Sequence, residues 1–206
     1  MDDITPRSRL ATILPLLLLA LILGLALYIT HLLSAGLIAE NARNAQLSVI
    51  DPLMPLPHDN KLYDDTITIT EPGYFGSGHS IRVFRARLQN QPAGIVFMPV
   101  PARGYSGDID LIIGIAYDGT LLGVRTFRHR ETAGLGDGID HEKSPWITRF
   151  TGLTLQNPPP ESWLVTEDGG KIDQISGATI TSRGVVNAVR KTLEYYQQER
   201  DTLYLR

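Results

Sequence analysis

The chain has 206 residues, with 19 Lys and Arg against 22 Asp and Glu, so its formal net charge is −3. A nucleic-acid-binding protein needs a basic surface to neutralise phosphates, and this balance argues against that class. Cysteine is absent, which excludes disulfides, thiolate-held iron–sulfur clusters and cysteine-based zinc sites. The length fits one domain with an appended segment, or two small domains.

An apolar run near the N-terminus is the first informative segment. Residues Leu10 to Ile29 are almost all apolar, and the run stays uncharged as far as Ala39. A helix of about 20 residues extends about 30 Å, which matches the hydrocarbon core of a bilayer. Arg7 and Arg9 precede the run, and the positive-inside rule therefore places the N-terminus in the cytoplasm.

This pattern predicts a cytoplasmic N-terminus at 1–9, a transmembrane anchor at 10–39 and an exported remainder. In a Gram-negative cell the remainder faces the periplasm, and the protein is a single-pass protein of the inner membrane. The alternative is a cleaved secretory signal, which exports the same residues. The apolar region of such signals is usually about 7–15 residues, so the length of this run favours an uncleaved anchor.

The exported part shows the patterns of an α+β domain. Alternating β-branched residues and the Asp118-Gly119 turn predict strands in a twisted, mostly antiparallel sheet with helices packed on it. Prolines at 52, 55 and 57 mark a stiff connector. The predicted strands are 66–70, 81–88, 95–98, 109–117 and 121–127, and the predicted helices are 41–50, one from Ser144-Pro145 to about Gly152, and 182–200.

Common catalytic and nucleotide motifs are missing from the sequence. No G-x-x-x-x-G-K-[ST] loop, no G-x-G-x-x-G opening a helix, no H-E-x-x-H and no G-x-S-x-G is present. The acidic segment 137–142 does not have the spacing of a calcium-binding loop, so we interpret it as a solvated loop and predict no metal site. No side chain is predicted to act as a general acid or base.

A cluster of small and hydroxyl residues, 173–182, directly precedes the last predicted helix. The unpaired N–H groups at a helix N-terminus favour an anion such as a phosphate, and small residues let a bulky group approach the backbone. On composition alone, a simple helix N-cap, at Thr181 or Ser182, is the favoured explanation of the cluster.

The segment Asp173-Gln174-Ile175-Ser176-Gly177-Ala178-Thr179 resembles the D-x-x-[ST]-G-A-[TS] signature of the covalent FMN-binding domain family. In that family the last hydroxyl residue is joined to the phosphate of FMN by a phosphoester bond, which a dedicated flavin transferase makes. The matching position here is Thr179.

Further matches to the family lie upstream, and family-like residues span roughly 100 to 190. The layout of an anchor followed by an exported domain resembles one branch, the G subunits of Rnf (Rsx) ion-translocating electron-transport complexes. The upstream matches are Gly104-Tyr105-Ser106-Gly107, Asp118-Gly119 and His129-Arg130-Glu131-Thr132-Ala133-Gly134-Leu135-Gly136.

The resemblance implies an FMN-binding domain core at 99–206, preceded by a membrane-proximal part at 40–98. It implies that Ser176, Gly177 and Ala178 shape the phosphate loop beside Thr179. It also implies that five residues of the upstream run line the flavin ring: Glu131, Thr132, Gly134, Leu135 and Gly136.

Further roles rest on weaker patterns. Arg183 is placed to screen a phosphate, although a solvated arginine is the more ordinary outcome. Trp146 is a candidate for stacking on the ring, but core packing is favoured. Asp173 is a candidate for recognition by the transferase.

Two functions from different classes therefore remain open. The first is a flavoprotein subunit that carries electrons through covalently bound FMN in a membrane redox complex. Its partners are the other subunits and, during maturation, the flavin transferase. The second is a non-redox periplasmic adaptor or small-ligand-binding module whose S-G-A-T segment is only a helix cap.

Overall fold

A computed structural model describes residues 6–205 of the chain, and residues 1–5 of the predicted cytoplasmic segment lie outside that range. The first helix, α1, spans Pro6–Ile50 without a break, so the anchor and the helix predicted at 41–50 are one element. The predicted stop before Pro52 is confirmed, because a short 3-10 helix at Asp51–Leu53 follows.

Residues up to Gln46 and residues from Leu47 onward form two separate compact units. In the first unit, the stretch Ile13–Ile38 is long and apolar enough to cross a membrane. Its described large apolar side chains are all exposed, as expected of a helix whose surroundings are lipid and not protein. The predicted anchor is thus a candidate membrane span.

Within residues 6–205, five strands form one antiparallel sheet in the order β1-β2-β3-β4-β5. This confirms the predicted α+β class. A one-turn helix, α2 (Pro72–Phe75), lies between the first two strands, and the long helix α3 (Thr179–Leu205) follows the sheet. The strands are β1 (Thr66–Ile69), β2 (Ile81–Leu88), β3 (Gln91–Arg103), β4 (Asp108–Ala116) and β5 (Leu121–Arg128).

The predicted hairpin is confirmed, with β4 and β5 joined at Asp118-Gly119. Strand β3 is much longer than the predicted 95–98. Proline is uncommon inside a strand, and β3 contains prolines at 92, 99 and 101. A register irregularity between Phe97 and Val100 accommodates Pro99 within the ladder.

Both faces of the sheet are covered. On one face α3 contributes the predicted stripe of Val185, Val189, Leu193 and Tyr196, all at most 2% exposed. On the other face residues 50–62 pack on alternate strand positions. Double coverage explains why β4 is a nearly continuous apolar run.

Helix α3 lies very close to the end of β3. A Cβ built on Gly184 would overlap the carbonyl oxygen of Arg103, so the helix backbone reaches the strand directly. This contact fixes the position of the first turns of α3 relative to the turn that follows β3, where the candidate site lies.

We expect Gly184→Ala to destabilise the domain by about 1–3 kcal/mol, because α3 must move away from β3. In an unobstructed helix the same change would stabilise by up to about 1 kcal/mol. The matched control is Gly73→Ala in α2, where a Cβ would meet open space. Urea unfolding measures the free energy of unfolding of both variants. Equal values for the two variants would contradict the close approach of α3 to β3.

Candidate functional site

Thr179 is the first residue of α3 and follows a tight turn. Gly177 has a φ of +74°, a left-handed conformation that favours glycine, and the N–H of Ala178 donates to the carbonyl of Ile175 at 3.0 Å. Thr179 is half-buried, and its Oγ1 donates a hydrogen bond to Oε2 of Glu167 at 2.8 Å. Its hydroxyl is therefore at the surface, at the positive end of a helix.

The hydroxyl of Ser182 braces this turn from inside the helix. It accepts the N–H of Ile175 at 3.0 Å and donates to the carbonyl of Ala178 at 3.0 Å. Both Thr181 and Ser182 lie within the first turn of α3, so the prediction that either one is the N-cap is wrong. The helix begins earlier than predicted because the braced turn closes at Ala178.

Glu131 connects the site to the rest of the domain. The side chain is only 8% exposed, and its carboxylate accepts hydrogen bonds from the N–H of Tyr105 at 3.3 Å and of Ser106 at 2.9 Å. It also accepts the hydroxyl hydrogen of Thr181, which is buried. One carboxylate thus joins the β3–β4 turn, the loop after β5 and the start of α3.

These segments line a cavity of about 440 Å³. Thr179, Glu131 and the other predicted residues Thr132, Leu135, Gly136, Gly177 and Ala178 line it, but Ser176 and Gly134 are not among its lining residues. The prediction omitted three lining residues, Tyr105, Ile180 and Thr181. Tyr105 stands within the G-Y-x-G match, which was the available signal for it.

The walls of the cavity are apolar and open to solvent. The side chains of Tyr105, Leu135 and Ile180 are 72%, 47% and 50% exposed. Exposed large apolar side chains around one concavity are typical of a ligand-binding or interaction site. The volume is within the range of about 300–1,000 Å³ usual for small-molecule and cofactor sites.

Arg183 is exposed, as the sequence favoured, and it also pairs with an acidic side chain. Its guanidinium donates to both carboxylate oxygens of Asp168, at 2.6 and 2.7 Å. This hydrogen bonding raises the pKa of Arg183 and lowers that of Asp168. The pair fastens α3 to the short 3-10 helix Thr166–Asp168, which also carries Glu167.

Trp146 belongs to the core, as the sequence favoured, because it is 4% exposed and packs edge-on against Phe150. Its Nε1–H donates to the backbone carbonyl of Asp173 at 2.6 Å and so holds the start of the S-G-A-T loop. The Asp173 side chain is exposed and pairs with Arg149 at 3.0 Å.

The acidic segment 137–142 differs from the predicted solvated loop. It begins in a 3-10 helix, Gly136–Ile139, and Asp137 is only 6% exposed. The ammonium group of Lys143 donates to Asp137 at 2.8 Å, and this bond lowers the pKa of Asp137. Among the described residues, no three His, Asp or Glu side chains are arranged to hold a metal ion.

The chain is similar to a known protein family and to known proteins. Residues 104–194 match the model of the FMN-binding domain. The chain is 39% identical to the G subunit of the ion-translocating oxidoreductase complex of Pseudomonas aeruginosa, over 98% of this chain and 95% of that protein. It is 36% identical to the corresponding G subunit of Pseudoalteromonas atlantica, over 88% and 90% of the two chains.

Among solved structures, the chain is similar to NqrC of Shewanella oneidensis. The TM-score is 0.48 and the identity is 24%, over 72% of this chain and 76% of that one.

The hydrogen bonds of the Glu131 carboxylate to Tyr105, Ser106 and Thr181, here called the Glu131 junction, should contribute to the stability of the domain. Thr181→Val removes one of the partners of a buried carboxylate, and we expect a cost of about 1–3 kcal/mol. Thr192→Val is the matched control, because Thr192 is equally buried in α3 but donates only to the carbonyl of Ala188. Urea unfolding should show the larger loss for Thr181→Val, and equal losses would argue against the junction.

Proposed function

Since this chain belongs to the family of G subunits of ion-translocating oxidoreductase complexes, we propose that it is a membrane-anchored flavoprotein that carries electrons within such a complex. It is a redox member of a translocating assembly and has no stand-alone catalytic activity. The other subunits of that complex are its partners in the membrane.

The attachment point for FMN is Thr179, through a phosphoester with the flavin phosphate. The observation that carries this assignment is the position of the hydroxyl: it opens α3, faces a cavity with apolar walls and stays accessible at the surface. The N–H groups of the first helical turn favour a phosphate at this place. A flavin transferase that makes the bond during maturation is a further partner.

The residues around the cavity fit a flavin. Tyr105, Leu135 and Ile180 offer apolar surface to a planar ring, while Gly177 leaves the backbone beside Thr179 uncovered. Glu131 holds the walls together through its hydrogen bonds. Bound FMN supplies the capacity to accept and release electrons, and attachment through phosphate leaves its ring free for this chemistry.

The domain assignment follows the same proposal. Residues 1–9 are cytoplasmic, 10–39 cross the inner membrane, 40–98 form the membrane-proximal part of the exported domain, and 99–206 form its FMN-binding core. The apolar stretch Ile13–Ile38 and the arginines before it support this orientation. The periplasmic domain then stays beside its partner subunits, which raises its effective concentration there.

Thr179→Ala should give a folded protein without covalent flavin, because the acceptor oxygen is gone. The full-length chain is produced together with the flavin transferase, and flavin fluorescence is read in a denaturing gel. Thr151→Ala, which removes an exposed threonine hydroxyl elsewhere, should keep the fluorescence. The mass of the peptide that contains position 179 should increase by FMN less water in the unaltered chain and stay unmodified in Thr179→Ala.

Covalent fluorescence that survives Thr179→Ala would refute the attachment site. A colourless, unmodified chain from cells that contain the transferase would refute the flavoprotein assignment and leave the non-redox adaptor.

Because the chain has no cysteine, its orientation can be tested with single introduced thiols. We expect a membrane-impermeant maleimide to label Ser77→Cys, an exposed position, in cells with a permeabilised outer membrane. Asp3→Cys should react only after the inner membrane is opened. The reverse labelling pattern would contradict a periplasmic domain, and a mature protein lacking position 3 would indicate a cleaved signal.

A further inference from the structure

We propose that Glu167 is the catalytic base of the modification reaction: it takes the proton from Thr179 Oγ1 as FMN is attached. This inference rests on the proposed attachment at Thr179. The observation behind it is the direct hydrogen bond at 2.8 Å from the Thr179 hydroxyl to Oε2 of Glu167, twelve residues earlier in the chain.

The carboxylate is held in place by its own short loop. The N–H of Glu167 donates to Oε1 of Gln174 at 3.3 Å, and the hydroxyl of Thr166 donates to the same oxygen at 2.7 Å. The next residue, Asp168, is fixed by Arg183 of α3. The 3-10 helix is thus fastened on both sides, and Glu167 is aimed at the first residue of α3.

Among three hydroxyls of the first turn of α3, the local contacts single out Thr179. Thr181 is buried and donates to Glu131, while Ser182 is buried and bonded within the turn. Thr179 is half-buried, and its partner carboxylate is 52% exposed. The Thr179 hydroxyl combines accessibility to an enzyme with a base already bound to its proton.

A threonine hydroxyl is a weak nucleophile until its proton is removed. In the step proposed, Thr179 Oγ1 attacks the flavin-side phosphorus of a flavin dinucleotide held by the transferase. The new O–P bond forms as the pyrophosphate P–O bond breaks, and adenosine monophosphate leaves with the bonding electrons. The proton of Oγ1 passes to Glu167 Oε2 and from there to water, and nothing is oxidised or reduced.

The Glu167 carboxylate can also remain in position after FMN has been attached to Thr179. After attachment Oγ1 has no hydrogen to donate, and Glu167 stands beside a negatively charged phosphate. Arg183 Nη2 is 3.8 Å from Oε1 of Glu167 and is kept there by Asp168. The guanidinium therefore offers a nearby cation that offsets the repulsion between the two negative groups.

The test measures how fast purified full-length chain acquires covalent flavin when mixed with flavin transferase and flavin dinucleotide. Glu167→Gln keeps an oxygen that accepts the Thr179 hydrogen bond but cannot take the proton. We expect its initial rate at neutral pH to fall by about 100-fold, the lower end of general-base contributions. The deficit should shrink as pH rises, because hydroxide then removes the proton.

Two variants accompany it. Glu161→Gln removes another exposed carboxylate of the same charge and should react at the wild-type rate. Glu167→Asp retains a base one methylene further away and should recover part of the rate. If Glu167→Gln does not fold, Glu167→Asp replaces it in the test, because a lower rate in a folded aspartate variant supports the same role for Glu167.

Wild-type rates for Glu167→Gln across the pH range, with Thr179→Ala unmodified, would overturn the role of Glu167 and leave the attachment site intact. An equal slowing of Glu161→Gln would also overturn it, because the effect would then follow overall charge. Flavin incorporation into Thr179→Ala would instead refute the proposed attachment.

Discussion

The buried carboxylate of Glu131 is the constraint on which the site depends. A carboxylate is costly to bury unless hydrogen bonds replace its water, and here two backbone N–H groups and the Thr181 hydroxyl do so. Those partners lie 25 to 50 residues from Glu131 along the chain, on either side of it. Satisfying this one group therefore fixes the β3–β4 turn, the loop after β5 and the first turn of α3 in a single arrangement.

In that arrangement the three hydroxyl residues in the first turn of α3, Thr179, Thr181 and Ser182, have different roles. Thr181 satisfies the junction and Ser182 braces the turn, so both are buried and committed to the fold. Thr179 is left at the rim of the cavity with a surface carboxylate as its partner. If Thr179 accepts the flavin as proposed, its buried neighbours hold the acceptor oxygen in place.

The sheet makes this geometry rigid. Residues 50–62 cover one face, and α3 covers the other, so the strands that lead to the site are buried on both sides. The close backbone contact between Gly184 and Arg103 fixes the distance between α3 and β3. The site is formed by loops, but each loop leaves from an element that packing has already fixed.

The sequence by itself determined the apolar span, the α+β class, the β4–β5 hairpin and the apolar stripe of α3, because each depends on local periodicity or turn chemistry. It also singled out Thr179 and most of the cavity wall, through resemblance to a family signature. Only the tertiary structure decided the start of α3, the length of β3 and the burial of Asp137, which depend on a brace, a bulge and an ion pair between separate segments. The contact of Glu167 could not be predicted from the sequence for the same reason. Only folding brings this loop glutamate to the hydroxyl of Thr179, twelve residues later in the chain.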